Sequence, residues 1–218
     1  MGKVMKNRAI WLITLLVIVF GLSPARAGVT LSDNLSATTQ FQEPISEDYW
    51  AAASFGTGTQ SWTLQSVTLY IQALSGGTAQ LDIYKDTNDP TNAPSQPGNS
   101  SIGTLSSPVI GTTLRNYTFT PGSLLPLDPN STYWVVLHAL TGEVDWVYPK
   151  AGSGGSGIGF QDYWATSDDA GSTWPYRYSD AAFMMQVTAI PEPSTLALFG
   201  SAALLFGIGY RRQSRNVV

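Results

Sequence analysis

From residue 28 to residue 190 the chain alternates apolar and polar side chains with a period of two, and helical periodicity is almost absent. Val67, Leu69, Ile71 and Ala73 alternate with Thr68, Tyr70 and Gln72. Ala79, Leu81 and Ile83 alternate with Gln80, Asp82 and Tyr84, and Tyr133, Val135 and Leu137 with Trp134, Val136 and His138. Tyr117-Thr118-Phe119, Val144–Tyr148 and Ala181–Ala189 are further strand candidates. A period of two sends successive side chains to opposite faces, so such a run buries one apolar face only as part of a sheet. Gly76-Gly77 separates the first two runs and predicts a hairpin between them, while Asp128-Pro129-Asn130 marks a turn before the third. The connections 86–101, 152–159 and 166–172 are rich in Gly, Ser, Pro, Asn and Asp. Many short strands with turns of this kind predict an all-β domain over 28–189, an antiparallel β-sandwich of jelly-roll-like type with one apolar face of each sheet on a shared core.

Charge and cysteine content narrow the function classes. Of the 11 basic residues, only Lys85, Arg115, Lys150 and Arg177 lie in 28–190, whereas all but Glu192 of the 15 acidic residues do. Four basic against fourteen acidic groups is a net charge of −10, which argues against nucleic acid and anionic lipid as partners. The chain has no cysteine, so disulfides, cysteine nucleophiles and cysteine-based zinc sites are excluded.

Both ends read as targeting segments rather than fold. Lys3, Lys6 and Arg8 precede an apolar run over 9–22, and Ala25-Arg26-Ala27 follows as a small-x-small cleavage site. This predicts a helical signal peptide over 1–27, cut by signal peptidase so that the mature chain begins at Gly28. At the other end Pro191 and Pro193 bracket Glu192 and hold that stretch extended. The apolar run 196–210 would be about 22 Å long as a helix, short against a hydrocarbon core of roughly 30 Å. A short transmembrane helix is therefore expected at about 195–210. Arg211, Arg212 and Arg215 follow at once and favour a cytoplasmic C-terminus.

Pro191-Glu192-Pro193, a short hydrophobic helix and an Arg-rich end, in that order over 190–215, resemble the PEP-CTERM sorting signal of Gram-negative bacteria. The resemblance implies recognition by an exosortase, a membrane-embedded cysteine transpeptidase-like enzyme, with cleavage near the tripeptide. It also implies an inner-membrane intermediate and a final place at the cell surface or in an extracellular matrix of exopolysaccharide.

The middle of the chain resembles the choice-of-anchor R domain. The residues that carry this are Asp33-Asn34-Leu35, Phe55–Gly58 with Thr63–Leu69, Leu81–Asp89, Tyr117–Thr120, Leu127–Leu137 and Ser167–Trp174. The family is named for its variable anchors, and the resemblance implies no reaction.

Candidate chemistry is sparse. His138 is the only histidine and sits opposite the Val135/Leu137 face, with no G-x-S-x-G elbow to supply a nucleophile. Glu43, Glu47 and Asp48, and Glu143 with Asp145, could pair as acids for glycoside hydrolysis, but they lie among polar residues and read as solvated surface groups. Asp86-Thr87-Asn88-Asp89 and Ser167-Asp168-Asp169 are oxygen-rich enough for a structural calcium ion, although turn chemistry alone explains them. No catalytic residue and no metal ligand is assigned. Trp134, Trp164 and Trp174 are candidates for stacking on sugar rings, against the alternative that they pack in the core. The sequence thus predicts an exported, non-catalytic, structural or adhesive protein, with a carbohydrate-binding module as the alternative.

Overall fold

The computed structural model describes residues 27–74, 76–87 and 95–192. These form thirteen antiparallel strands and no helix. The expected signal helix and transmembrane helix lie outside the described residues. The strands are β1 (Val29–Asp33), β2 (Thr39–Ile45), β3 (Trp50–Gly56), β4 (Trp62–Ala73), β5 (Thr78–Asp86), β6 (Pro97–Ser106) and β7 (Arg115–Pro121). They continue with β8 (Pro126–Leu127), β9 (Thr132–Thr141), β10 (Val144–Pro149), β11 (Phe160–Ser167), β12 (Tyr176–Ser179) and β13 (Met185–Pro191).

Strand β4 organises the first group. It pairs with β13 and β10 along one edge and with β7 and β8 along the other; β1 extends the group beyond β13, and β2 extends it beyond β10. The second group runs β6-β5-β9-β3-β11-β12. A short β6–β7 pairing at Leu105↔Pro121 joins the two into a continuous sheet. One buried cluster holds Val67, Leu69, Ile71, Phe119 and Val187 from the first group and Phe55, Leu81, Ile83, Val135 and Leu137 from the second. The inward faces of the two groups therefore share a core, as the alternation requires.

The expected hairpin at Gly76-Gly77 does not form. Strands β4 and β5 do not pair; the glycines carry the chain from one group to the other, so the apolar faces of β4 and β5 meet across the core. The reason lies in β4, both of whose edges are already occupied. Gly142 makes the same crossing between β9 and β10. The two crossings pack on each other: Leu74 N–H donates to Glu143 O at 2.9 Å, and a Cβ at Gly77 would lie 2.6 Å from that carbonyl. Only glycine permits this approach.

The expected strand over 181–189 starts late, at Met185. Ala181 to Met184 are buried but not extended, with Asp180 at φ 81° and Ala181 at φ 139°. Asp162 Oδ1 accepts from the Ala181 and Ala182 amides at 3.0 and 2.7 Å. Asn34 donates to Ala182 O at 2.9 Å and accepts from Met185 N at 2.7 Å. These side chains satisfy backbone groups that would otherwise be buried unpaired, and they set Phe183 into the core.

Candidate functional site

The sorting tripeptide leaves the domain directly from its core. In β13, Met185, Val187 and Ala189 point inward between β1 and β4. Pairing with β4 continues to Pro191↔Trp62. Proline has no N–H, so a strand accepts it at an end. Glu192 carries on past it: its N–H donates to Ser61 O at 3.2 Å, and Thr63 Oγ1 donates to Glu192 Oε1 at 3.3 Å. Trp62, 2% exposed, fixes the partner strand by donating from Nε1 to Thr57 O at 2.7 Å. Val29 pairs with Ala189, so Ala27 and Gly28, at the expected signal-peptidase site, sit beside this exit. Ala25, Pro193, Arg211 and Arg212 lie outside the described residues.

The outward face of the second group is also covered, which changes the reading of the tryptophans. Ala52, Trp134, Val136, Ala165 and Trp174 form a second buried cluster, flanked by Trp50, Tyr84 and Tyr163. Trp134 is 1% exposed and Trp174 is 6% exposed. Neither offers a ring face to a sugar, so both are corrected from candidate stacking residues to core. The loop over 167–174 makes the cover. Ser167 Oγ donates to Asp169 Oδ1 at 2.7 Å and accepts from Gly171 N at 2.9 Å, while Asp169 also accepts from the Thr173 amide and hydroxyl at 2.8 and 2.7 Å. Hydrogen bonds from Thr173 and Ser167 hold the Asp169 carboxyl below its usual range. Gly171, at φ +78°, lies against the Trp50 ring.

In each expected calcium loop one carboxylate, Asp86 or Asp169, is engaged by neighbouring donors. Asp86 accepts from Ser95 N, Ser95 Oγ and Trp134 Nε1 at 2.9, 2.9 and 2.7 Å. Asn88 and Asp89 lie outside the described residues. Among the described residues no group of three or more His, Asp or Glu converges as metal ligands would. Of the proposed acid pairs, Glu43 accepts from Tyr49 Oη at 2.7 Å; burial and that bond push the Tyr49 phenol up to about 12. Asp145 is buried rather than solvated, because β10 is paired on both sides, and it accepts from Gln72 at 2.8 Å.

His138 is 8% exposed, on the covered face, with its ring stacked on Trp50 at 4.2 Å and Nε2 3.3 Å from Asp82 Oδ2. Asp82 also accepts from Gln80 and Thr104. Burial pushes the Asp82 carboxyl up, but hydrogen bonds from His138, Thr104 and Gln80 together outweigh it and leave the group below the usual carboxylate value. A folded-state value below the unfolded one means that the ionised form favours the fold. This contribution is complete above the unfolded value near pH ~4 and is lost as pH falls through the lower folded value. Urea unfolding of wild type and Asp82→Asn between about pH 6 and about pH 2 should therefore show the stability gap shrinking on the acid side. A gap of constant size would rule this assignment out.

Trp164 is placed differently from the other two tryptophans. It is half-buried between Tyr178, at 4.3 Å and 24°, and Tyr148, at 5.9 Å and 23°. Tyr148 stacks in turn on Phe41 at 5.3 Å. The four rings form a row from β12 through β11 and β10 to β2, across the gap between the two groups of strands. The row ends in Tyr178, 46% exposed, and Phe41, 50% exposed. A shallow hollow of about 350 Å³ beside Tyr178 is lined by Tyr163, Pro175, Arg177 and Ser179. Trp164 on β11 is legible as an aromatic candidate, but nothing in the sequence marks Phe41, Tyr148 and Tyr178 as the continuation of its row.

The profile of one sequence family, described as the PEP-CTERM protein-sorting motif, matches residues 189–213. A search of curated proteins finds no match. The motif is the recognition signal for exosortase processing and implies export through a membrane-anchored intermediate.

Proposed function

We propose that the chain is an exported, non-catalytic protein of a Gram-negative cell surface or exopolysaccharide matrix, needing no cofactor, delivered by signal peptidase and an exosortase and structural or adhesive in role, as in a biofilm. The observation that carries this reading is the sorting motif continuing the last core strand, so that the whole domain is cargo of that signal. The domain is read as a jelly-roll-like sandwich of the choice-of-anchor R type, supported by antiparallel pairing throughout and by Asn34 and the 167–174 loop, both within the residues that carry that resemblance. Mass spectrometry of the C-terminal peptide tests the delivery route. Wild type should lose its tail in an exosortase-bearing host and keep it in an exosortase-deficient one, and Glu192→Ala should keep it in both. Intact Val218 on all exported wild-type protein would reduce the tail to an anchor.

The second reading is carbohydrate binding, favoured by the aromatic row. Its outer rings and the hollow beside Tyr178 supply flat apolar faces next to hydrogen-bonding groups, which suits a neutral sugar better than an acidic one given the charge of −10 in 28–190. On this reading Tyr178→Ala weakens binding to a neutral polysaccharide by about 3- to 10-fold. An unchanged affinity in that variant would remove the row from consideration.

A further inference from the structure

The sorting motif and the fold compete for the same residues. Pro191 is in register with Trp62, the Glu192 amide is held by Ser61 O, and the Glu192 carboxylate is held by Thr63 Oγ1. The apolar run begins at Leu196, only five positions after Pro191. At about 3.3–3.6 Å per residue, that stretch spans at most about 18 Å. The docked domain therefore has to lie close against the membrane surface, with part of the recognition element inside its own sheet. A cleft that binds an extended peptide needs the backbone groups and side chains of that peptide free. Here the glutamate, the charged residue of the tripeptide, has both its amide and its carboxylate engaged.

We propose that Ser61 and Thr63 form an intramolecular dock for the sorting motif, and that tail removal acts on the state in which the end of β13 has peeled away from β4. The inference rests on the exosortase reading above and adds the substrate state. When opening and closing are fast relative to cleavage, the rate follows the population of the open form. Fraying at a strand end is local and need not unfold the core. Strand β1, on the other edge of β13, reinforces the closed state through Val29↔Ala189. Complete folding of the domain therefore slows its own release, and chains whose last strand has yet to settle are processed first.

Two measurements on the full-length protein test this. One is amide exchange of Glu192 in detergent-solubilised wild type, in Thr63→Val, and in a variant with six Gly/Ser residues inserted between Ile190 and Pro191. The other is a pulse-chase of tail removal for the same three in an exosortase-bearing host. Thr63→Val keeps a β-branched shape on β4 and changes neither the motif nor its distance from the membrane. Glu192 should exchange at least about 10-fold slower in wild type than in the insertion variant. Tail removal should speed up by about 2- to 3-fold in Thr63→Val, the size of one modest hydrogen bond, and more in the insertion variant. An unprotected Glu192 amide in wild type overturns the dock. Equal rates in all three proteins overturn its control of processing. Acceleration by the insertion alone assigns the effect to distance from the membrane and also overturns the proposal. Retention of the tail by all three proteins, with Glu192 protected, instead refutes the exosortase reading on which the proposal rests.

Discussion

Trp146→Ala is expected to cost about 3–5 kcal/mol, the range for removing a large aromatic side chain from a core. Trp146 has no exposed surface and stacks on Phe183 at 4.6 Å. Its Nε1 donates to Met184 O at 3.0 Å, so the substitution leaves a cavity and also removes a buried hydrogen bond from a carbonyl that keeps only the longer one from Tyr70 N at 3.3 Å. The loss falls where β10 meets the irregular 181–184 segment, whose backbone is held by the Asp162 and Asn34 side chains and by single backbone bonds at Met184 rather than by a continuous ladder. A drop in Tm on the order of 10 °C should follow. Trp164→Ala, at a half-exposed ring, should cost clearly less. Equal losses in the two variants would contradict the assignment of Trp146 to the core and Trp164 to the surface row.

Gly159→Ala is the second large effect. Gly159 donates to Leu31 O at 2.8 Å and accepts from Gly56 N at 2.7 Å, so it ties β1 to β3. A Cβ there would lie 1.8 Å from Gly56 O and 2.3 Å from Gly56 C, and that backbone cannot swing away as a side chain could. The substitution should cost about 3 kcal/mol or more, the upper end of overpacking. Gly122→Ala is the matched control, since nothing lies within 4 Å of its added methyl. Its effect should be neutral or slightly stabilising, up to about 1 kcal/mol through the unfolded state. Chemical denaturation of both variants decides the matter, and a Gly159→Ala protein as stable as wild type would show that the two backbones are not in contact.

These sites illustrate what local pattern reveals and what it hides. Strands β4, β5 and β7 are legible because their alternation matches burial of one face, and β9 and β10 because apolar and aromatic residues run through them. Strand β3 was not, because Ala51, Ala52 and Ala53 carry little strand preference and give no alternation; all three are buried since β3 lies between β9 and β11. Strand β6 hid in a polar stretch at the margin of its group. Trp134 opposite Val135 leaves β9 apolar on both faces, the pattern of a strand covered on both sides. What covers the second face is the loop ending in Trp174, and no periodicity reports a contact between β9 and a loop forty residues later. The destination of the glycine turns was equally hidden. A Gly-Gly pair shows that the chain reverses, while the edges already taken on β4 decide which sheet it enters. At the exit, the tripeptide was plain in sequence, but its engagement by Ser61 and Thr63 depends on register.

The neighbouring positions of the first and last strands also govern how the domain bears load. With Val29 opposite Ala189, both ends of the folded chain emerge on one side. Tension applied between those ends opens the β1–β13 ladder like a zipper, one residue pair at a time, and meets little resistance. Tension between the C-terminal tether and a partner held at the far end of the molecule runs along β13, and the ladders to β1 and β4 then share it in shear, with many bonds strained together. A domain tethered through its C-terminal end and gripped at its distal loops would thus be pulled along its mechanically stronger direction.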